Sequence, residues 1–223
     1  MVHVSKKEIH LKNRVVRYTH TEVGSQTVCF MFAGAGYKYD SPLFYYARMM
    51  MLRNDIDIVR IDYTYDAQTL RKTNEELTDI MMADIDPVIA EVLESGSYKE
   101  TIFLGKSIGT LPMANVLMKR EEFATSKMIL FTPLLRAKSL FQSLLASSHQ
   151  GLLVIGDQDH HYSAGQIQQL QHLHFKIEVI RNADHSLDVG DYDARQSILF
   201  LANVMDKLQQ TIRSTGLSQT FIH

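Results

Sequence analysis

The chain has 223 residues, of which 45% are apolar and 22% charged, the usage of a folded globular protein rather than of a disordered chain. Lysine and arginine number 23 against 25 aspartates and glutamates, so a net charge of −2 gives no basic surface for nucleic acid. The single cysteine, Cys29, excludes an intrachain disulfide and a cysteine-based zinc site.

The chain begins with a charged stretch, residues 1–12, that lacks the apolar core of a secretory signal. No apolar run is long enough for a transmembrane helix. The 11 glycines and 4 prolines are spread out, so no linker divides the chain. We therefore expect a single cytoplasmic domain over residues 1–223, with no membrane or nucleic-acid partner. The sequence does not indicate an oligomeric state.

Short β-branched or aromatic segments alternate with helical patterns along the chain. Most of the short segments are apolar throughout, which is typical of strands buried on both faces of a mainly parallel sheet. The predicted strands are residues 14–18, 27–32, 57–61, 101–104, 127–131, 152–155 and 176–180.

Two helical patterns are the clearest. Thr73 and Glu76 form a capping box at the start of a helix in which Pro87 is expected to cause a kink. Alternating strands and helices predict an α/β fold with helices on both faces of the sheet, so that the loops after parallel strands share one edge. One apolar face marks the last helix: Ile198, Leu201, Met205, Leu208 and Ile212.

The strongest functional signal is the segment G-K-S-I-G at residues 105–109. It directly follows the predicted strand 101–104 and opens a helical stretch, residues 110–118, which is the strand–turn–helix setting of a nucleophilic serine. The glycines at both ends fit a turn so sharp that side chains there would collide with the backbone. Ser107 is therefore the candidate nucleophile.

Two phosphate-binding patterns fit the glycines less well. A P-loop needs a glycine five positions before Gly105, where the chain has Glu100. A dinucleotide fingerprint starting at Gly34 would need a third glycine where the chain has Tyr39. The sequence therefore favours a serine nucleophile over a nucleotide site.

A serine hydroxyl needs a histidine base, itself oriented by a carboxylate, to react near neutral pH. Segments after two later predicted strands contain these residue types: G-D-Q-D at residues 156–159 and A-D-H-S-L at residues 183–187. Together with G-K-S-I-G they resemble the α/β-hydrolase superfamily over residues 15–208, and most closely its small members of the dienelactone-hydrolase kind. The resemblance implies an α/β-hydrolase fold, with a mainly parallel sheet, helices on both faces and no large cap domain.

The resemblance also implies the roles of three residues. Ser107 is the expected nucleophile, and His185, in the loop before the last helix, is the expected base. The family places its acid third after a glycine, in the pattern G-x-x-D, which favours Asp159 over Asp157. Asp184 adjoins His185 in sequence, so its side chain diverges from the ring that it would have to orient.

An oxyanion hole is implied as well, because the tetrahedral intermediate carries negative charge. The expected donors are the N–H of Ile108, after the nucleophile, and the N–H of Ala35, in the loop after an early strand, with Gly34 as the alternative to Ala35. Ala33 stands where the family commonly has histidine. Tyr37 and Tyr63 follow neighbouring strands, and we expect them to line the substrate site.

The expected function is that of a serine hydrolase that cleaves a carboxylic ester, or a related acyl bond of a small molecule, through an acyl-enzyme. Such chemistry requires no metal and no organic cofactor. Two alternatives stay open. The same triad serves acyltransferases and thioesterases, and a hydrolase-like scaffold can bind a ligand without turnover.

Overall fold

The computed structural model describes residues 1–190 and 193–213, and these form one eight-stranded sheet. The strands lie in the order β1-β2-β4-β3-β5-β6-β7-β8. They are β1 His3–Leu11, β2 Arg14–Glu22, β3 Thr27–Phe32, β4 Asp57–Asp62, β5 Glu100–Lys106, β6 Lys127–Phe131, β7 Gly151–Gly156 and β8 Phe175–Ile180. The helices are α1 Pro42–Arg53, α2 Asn74–Ser95, α3 Thr110–Asn115, α4 Lys138–Leu145, α5 Ala164–Leu170 and α6 Ala194–Arg213.

The sheet is mainly parallel, as predicted. Strands β3 to β8 all run in one direction, and only β2 runs antiparallel, to both β1 and β4. The carboxyl ends of six strands therefore share one edge, where the loops that follow them can meet. Residues 132–150, between β6 and β7, contain only helix α4, which leaves no room there for a large cap.

The prediction missed strand β1, which pairs with β2 along its whole length. Six of its nine residues are polar, and only alternate ones, Ser5, Lys7, Ile9 and Leu11, are half-buried. An antiparallel strand at a sheet edge, with one face in water, typically carries such polar residues, and charged side chains at an edge disfavour pairing with other chains.

Both faces of the sheet are covered. One apolar cluster joins the sheet to helices α2, α3, α4 and α5, and the other joins it to α1 and α6. The central strands are buried on both sides, which explains their continuous apolar sequences; the ring of Phe103 stacks on Phe30 and Phe32 at 5.7 and 6.1 Å between centroids.

The helices follow the sequence signals with two corrections. The capping box is confirmed, with the Glu76 N–H donating to Thr73 Oγ1 at 3.2 Å, and α2 continues through Pro87 to Ser95. Helix α3 ends at Asn115, earlier than predicted. In α6 the predicted apolar face is buried only in its second half, because Ile198 is 65% exposed. None of the helices among the described residues is both long and apolar enough to cross a membrane.

Candidate active site

Three loops at the carboxyl edge of the sheet bring together the three residues predicted to react. Ser107 directly follows β5, Asp159 lies just after β7, and His185 lies after β8. Ser107 Oγ donates to His185 Nε2 at 2.8 Å, and His185 Nδ1 donates to Asp159 Oδ2 at 2.7 Å. The predicted convergence of these side chains is confirmed, although they are far apart in sequence.

The turn at residues 105–109, which we call the nucleophile elbow, is strained at its centre. Ser107 has φ of 55°, in the left-handed region that non-glycine residues rarely adopt. A Cβ on Gly105 would lie 2.6 Å from the Gly109 carbonyl oxygen, and a Cβ on Gly109 would overlap the Phe32 carbonyl. Both glycines are therefore required for the backbone to pass this closely.

Asp159 is buried, and hydrogen bonds hold its carboxylate ionised. Its Oδ1 accepts from the backbone N–H of His161 at 2.8 Å, while Oδ2 accepts from His185. Burial alone would raise the pKa of Asp159, but the hydrogen bonds from His185 and His161 lower it below its ordinary value. The carboxylate therefore favours the His185 tautomer that carries its proton on Nδ1 and leaves Nε2 free to accept.

The neighbouring carboxylates shape the loops and do not orient the histidine. Asp157 Oδ1 accepts from the Asn182 N–H at 2.7 Å and so ties the acid loop to the histidine loop, residues 181–190. Asp184 Oδ1 accepts from the N–H groups of Ser186 and Asp188, at 2.7 and 3.1 Å. These contacts agree with the choice of Asp159 over Asp157 made from the sequence.

The loop at residues 33–36 lies beside the nucleophile. A Cβ on Gly34 would be 3.3 Å from Ser107 Cβ and 3.6 Å from Tyr37 Cβ, so a larger residue at position 34 would crowd the serine. The loop thus lies beside Ser107, where the second oxyanion donor is expected from the sequence. Ile108 and Ala35, with Gly34 as the alternative to Ala35, stay the predicted donors.

Two tyrosines hold the start of this loop through hydrogen bonds to the Ala33 backbone. Tyr63 OH donates to the Ala33 carbonyl at 2.8 Å, and the Ala33 N–H donates to Tyr39 OH at 3.3 Å. Burial raises the pKa of both phenols, which keeps them protonated. The hydroxyl of Tyr63 is therefore occupied in supporting the loop. The sequence did not predict this supporting role of Tyr39, because its hydroxyl also contacts the carbonyl oxygens of Met31 and Ile61, on separate strands that meet only in the fold.

An apolar cavity of about 470 Å³ opens next to the histidine loop. Its wall includes Leu187, which lies two residues after His185 in sequence. Its wall also includes Tyr37, which lies next to Gly34, as does Ser107. The predicted contact residue Tyr37 thus faces a cavity, with its hydroxyl accepting from the Leu43 N–H at 3.0 Å. The other main apolar residues of the wall are Leu43, Ile198, Phe200, Leu201 and Val204.

Backbone strain concentrates around this edge. Among the described residues, five non-glycine residues have φ in the left-handed region, and four of them surround the site: Ser107, Thr132, Asn182 and Leu187. Strain of this kind persists only where the surrounding structure enforces it, and it clusters at functional sites. Thr132 carries no sequence signal, since a β-branched residue is among the least expected at such a φ.

The site also contains one group of residues that could hold a metal ion. Single ligand atoms of Asp159, His160 and His185 lie within 4.8 Å of one another. His185 already bonds Ser107 and Asp159 through its two ring nitrogens, so a metal on either nitrogen would have to break that chain. We therefore assign no metal to this site. One further group of this kind is found among the described residues, at the opposite edge of the sheet: His20, Glu22 and Asp57.

A mainly parallel sheet with a serine–histidine–aspartate arrangement at its carboxyl edge defines the α/β-hydrolase class. The family model described as an alpha/beta hydrolase domain matches residues 26–213, and the chain belongs to this family. No curated protein sequence matches the chain significantly.

Solved structures share the fold at low sequence identity. An esterase from Pyrococcus furiosus is 12% identical with a TM-score of 0.70, covering 95% of this chain and 92% of its own. A dienelactone hydrolase from Anabaena variabilis is 14% identical with a TM-score of 0.68, covering 95% and 97%. A serine hydrolase without a lid from Xanthomonas campestris is 10% identical with a TM-score of 0.70, covering 96% and 97%.

The glycines of the elbow can be tested by comparing two substitutions to alanine. We expect Gly109→Ala to lower the melting temperature by several degrees, because its Cβ would overlap the fixed Phe32 carbonyl. Gly165→Ala is the control, since a Cβ there meets nothing within 4 Å and lies in the first turn of α5. Thermal unfolding of the three proteins checks this. Equal melting temperatures for both variants would contradict the close approach.

Proposed function

We propose that the protein is a serine hydrolase that cleaves a carboxylic ester of a small molecule through an acyl-enzyme. The observation that supports this most directly is the continuous hydrogen-bond chain from Ser107 through His185 to Asp159, at 2.8 and 2.7 Å. Contact distances of this kind are what general-base activation of a serine requires.

In the proposed acylation step, His185 Nε2 takes the proton of Ser107 Oγ as the oxygen attacks the ester carbonyl carbon. The carbonyl oxygen becomes an oxyanion, which the N–H groups of Ile108 and Ala35 stabilise. The intermediate collapses with cleavage of the bond to the alcohol oxygen, and His185 gives its proton to that oxygen. An alcohol leaves, and the acyl group remains on Ser107.

Deacylation repeats these steps with water. His185 Nε2 takes a proton from a water molecule whose oxygen attacks the acyl carbonyl, and the new intermediate expels Ser107 Oγ, which recovers the proton. A carboxylic acid is released. Asp159 stays ionised throughout and stabilises the positive charge on the His185 ring, because its pKa is held low.

The cavity supports an ester with a modest apolar group. Its wall is largely apolar, and its volume of about 470 Å³ is within the usual range of small-molecule sites. None of the three triad residues is part of its wall, but Leu187 in the wall lies two residues after His185, and Tyr37 lies next to Gly34, which adjoins Ser107. The related structures are named as an esterase, a dienelactone hydrolase and a serine hydrolase without a lid, which agrees with small ester substrates.

Covalent labelling tests the nucleophile. The parent protein should react stoichiometrically with a fluorophosphonate and hydrolyse p-nitrophenyl esters, whereas Ser107→Ala should do neither and should melt at nearly the same temperature. The control Ser163→Ala removes a serine hydroxyl at the start of α5, outside the site, and should label like the parent. Intact mass spectrometry counts the adducts. A parent that neither labels nor turns over any ester would favour the alternative of a binding scaffold.

The acid is tested by ranking two matched substitutions. Asp159→Asn should lower kcat by up to ~10⁴-fold, the loss seen when the serine-protease acid is made neutral. Asp157→Asn should lower it by less than about tenfold, because the partners of that carboxylate in the described part of the chain are the loop N–H of Asn182 and the Gln158 amide. Steady-state kinetics on one ester checks both. Equal losses or the reverse order would show that the acid is misassigned.

The cavity is tested by filling it. Leu201→Trp places a larger side chain in its wall, and we expect the kcat/KM ratio of a hexanoyl to an acetyl p-nitrophenyl ester to fall roughly tenfold. Leu199→Trp, at an exposed position next to it that is not part of the wall, should leave the ratio unchanged. A ratio that moves equally in both variants would show that the acyl group binds elsewhere.

A further inference from the structure

Lys106, the residue directly before the nucleophile, is almost completely buried, with 1% of its surface exposed. Its ammonium group donates to the carbonyl oxygen of His185 at 2.7 Å and to Thr132 Oγ1 at 2.8 Å. The same Nζ lies 4.6 Å from the centre of the Tyr37 ring, a cation–π contact. The lysine thus connects the elbow, the end of β6, the histidine loop and the wall of the cavity.

Lys106 contacts the backbone of His185, the residue whose ring is the proposed base. His185 is held at its two ring nitrogens by Ser107 and Asp159, and at its own carbonyl oxygen by Lys106. In the proposed mechanism protons move at the ring nitrogen that contacts Ser107, whereas no proton transfer involves the carbonyl contact with Lys106. A fixed backbone at His185 therefore sets where the ring returns after each proton transfer.

Placing this cation in the interior is costly, so a merely packing role would favour an apolar residue. A buried ammonium without partners is strongly disfavoured, and methionine would fill a similar volume. Here the carboxylates of Asp159, Asp184 and Asp188 offset part of the cost of burial. Thr132, which supplies one acceptor, is itself held in a strained conformation with φ of 43°.

We propose that Lys106 is a positioning residue, whose ammonium group holds the His185 backbone so that the imidazole stays aligned between Ser107 and Asp159. This inference rests on the proposed function for its kinetic consequences, but the alignment itself can be measured without turnover. Lys106 takes no part in the proton transfers, since its Nζ contacts the carbonyl of His185 and the Thr132 hydroxyl rather than the reacting atoms.

Lys106→Met removes the donors and keeps a chain of similar length. We expect kcat to fall by about 10²-fold with KM within about twofold, because a misplacement of about 1 Å costs this much in catalysis. Thr132→Val is the matched control. It removes the hydroxyl that accepts from Lys106 but keeps a β-branched side chain at position 132 and the hydrogen bond from Lys106 to the His185 carbonyl. It should lower kcat by less than about fivefold. Equal losses in the two variants, or a change confined to KM, would overturn the proposal.

An NMR measurement separates positioning from support of the fold. The proton shared by His185 Nδ1 and Asp159 gives a far-downfield NMR resonance, which should be sharp in the parent and in Thr132→Val but shifted or broadened in Lys106→Met at the same protein stability. This readout holds even if the parent shows no esterase activity, so failure of the proposed function would not be mistaken for failure of this inference. An unchanged resonance in Lys106→Met would overturn it.

The parent alone provides a test that needs no variant. Burial lowers the pKa of Lys106 to about 8, against the opposing charges of Asp159, Asp184 and Asp188. Above that pH the hydrogen bond to His185 loses its charge assistance, which roughly halves its strength. The Tyr37 phenol stays protonated, because burial raises its pKa. We therefore expect kcat to fall a few-fold through an inflection near pH 8, and a flat profile from pH 7 to 10 would contradict the proposal.

Discussion

The close passage of Gly109 against the Phe32 carbonyl sets the geometry on which the rest of the site depends. It joins the end of β3 to the start of the helix after β5, so the loop at residues 33–36 must lie beside the elbow. Ser107 lies between the two elbow glycines, directly after the end of β5, with φ of 55° in the left-handed region. The candidate nucleophile and the loop at residues 33–36 are therefore held side by side by a close approach of two backbones.

The parallel sheet extends this local constraint into a complete site. Strands β7 and β8 are neighbours, paired in register from Gly151 with Phe175 to Gly156 with Ile180, so their following loops begin side by side. Gly156 lets the acid loop pass directly against the Ala183 carbonyl, where a Cβ would not fit. Asp159 and His185 meet because both loops leave the same edge, and Asp157 ties them together through the Asn182 N–H.

What the sequence predicts well is what short patterns determine. Seven of the eight strands were recognisable, most of them because burial on both faces requires an apolar run, and Ser107, Asp159 and His185 stand in motifs that a family shares. Strand β1 was missed because a polar sheet edge looks like any exposed segment. The exposure of Ile198 was missed because helical periodicity gives the direction of an apolar side chain but not whether another element covers it.

The burial of Lys106 is a feature that short sequence patterns do not predict. Within the motif this lysine occupies a position where any residue is allowed, and its charge suggests solvent exposure. Its burial follows only from acceptors contributed by two other loops, at Thr132 and His185, and from the field of carboxylates that no local pattern brings together. The buried anion of Asp159 and the buried cation of Lys106 approach His185 from its ring and from its backbone. The histidine is thus placed between opposite charges, each of which lowers the cost of burying the other.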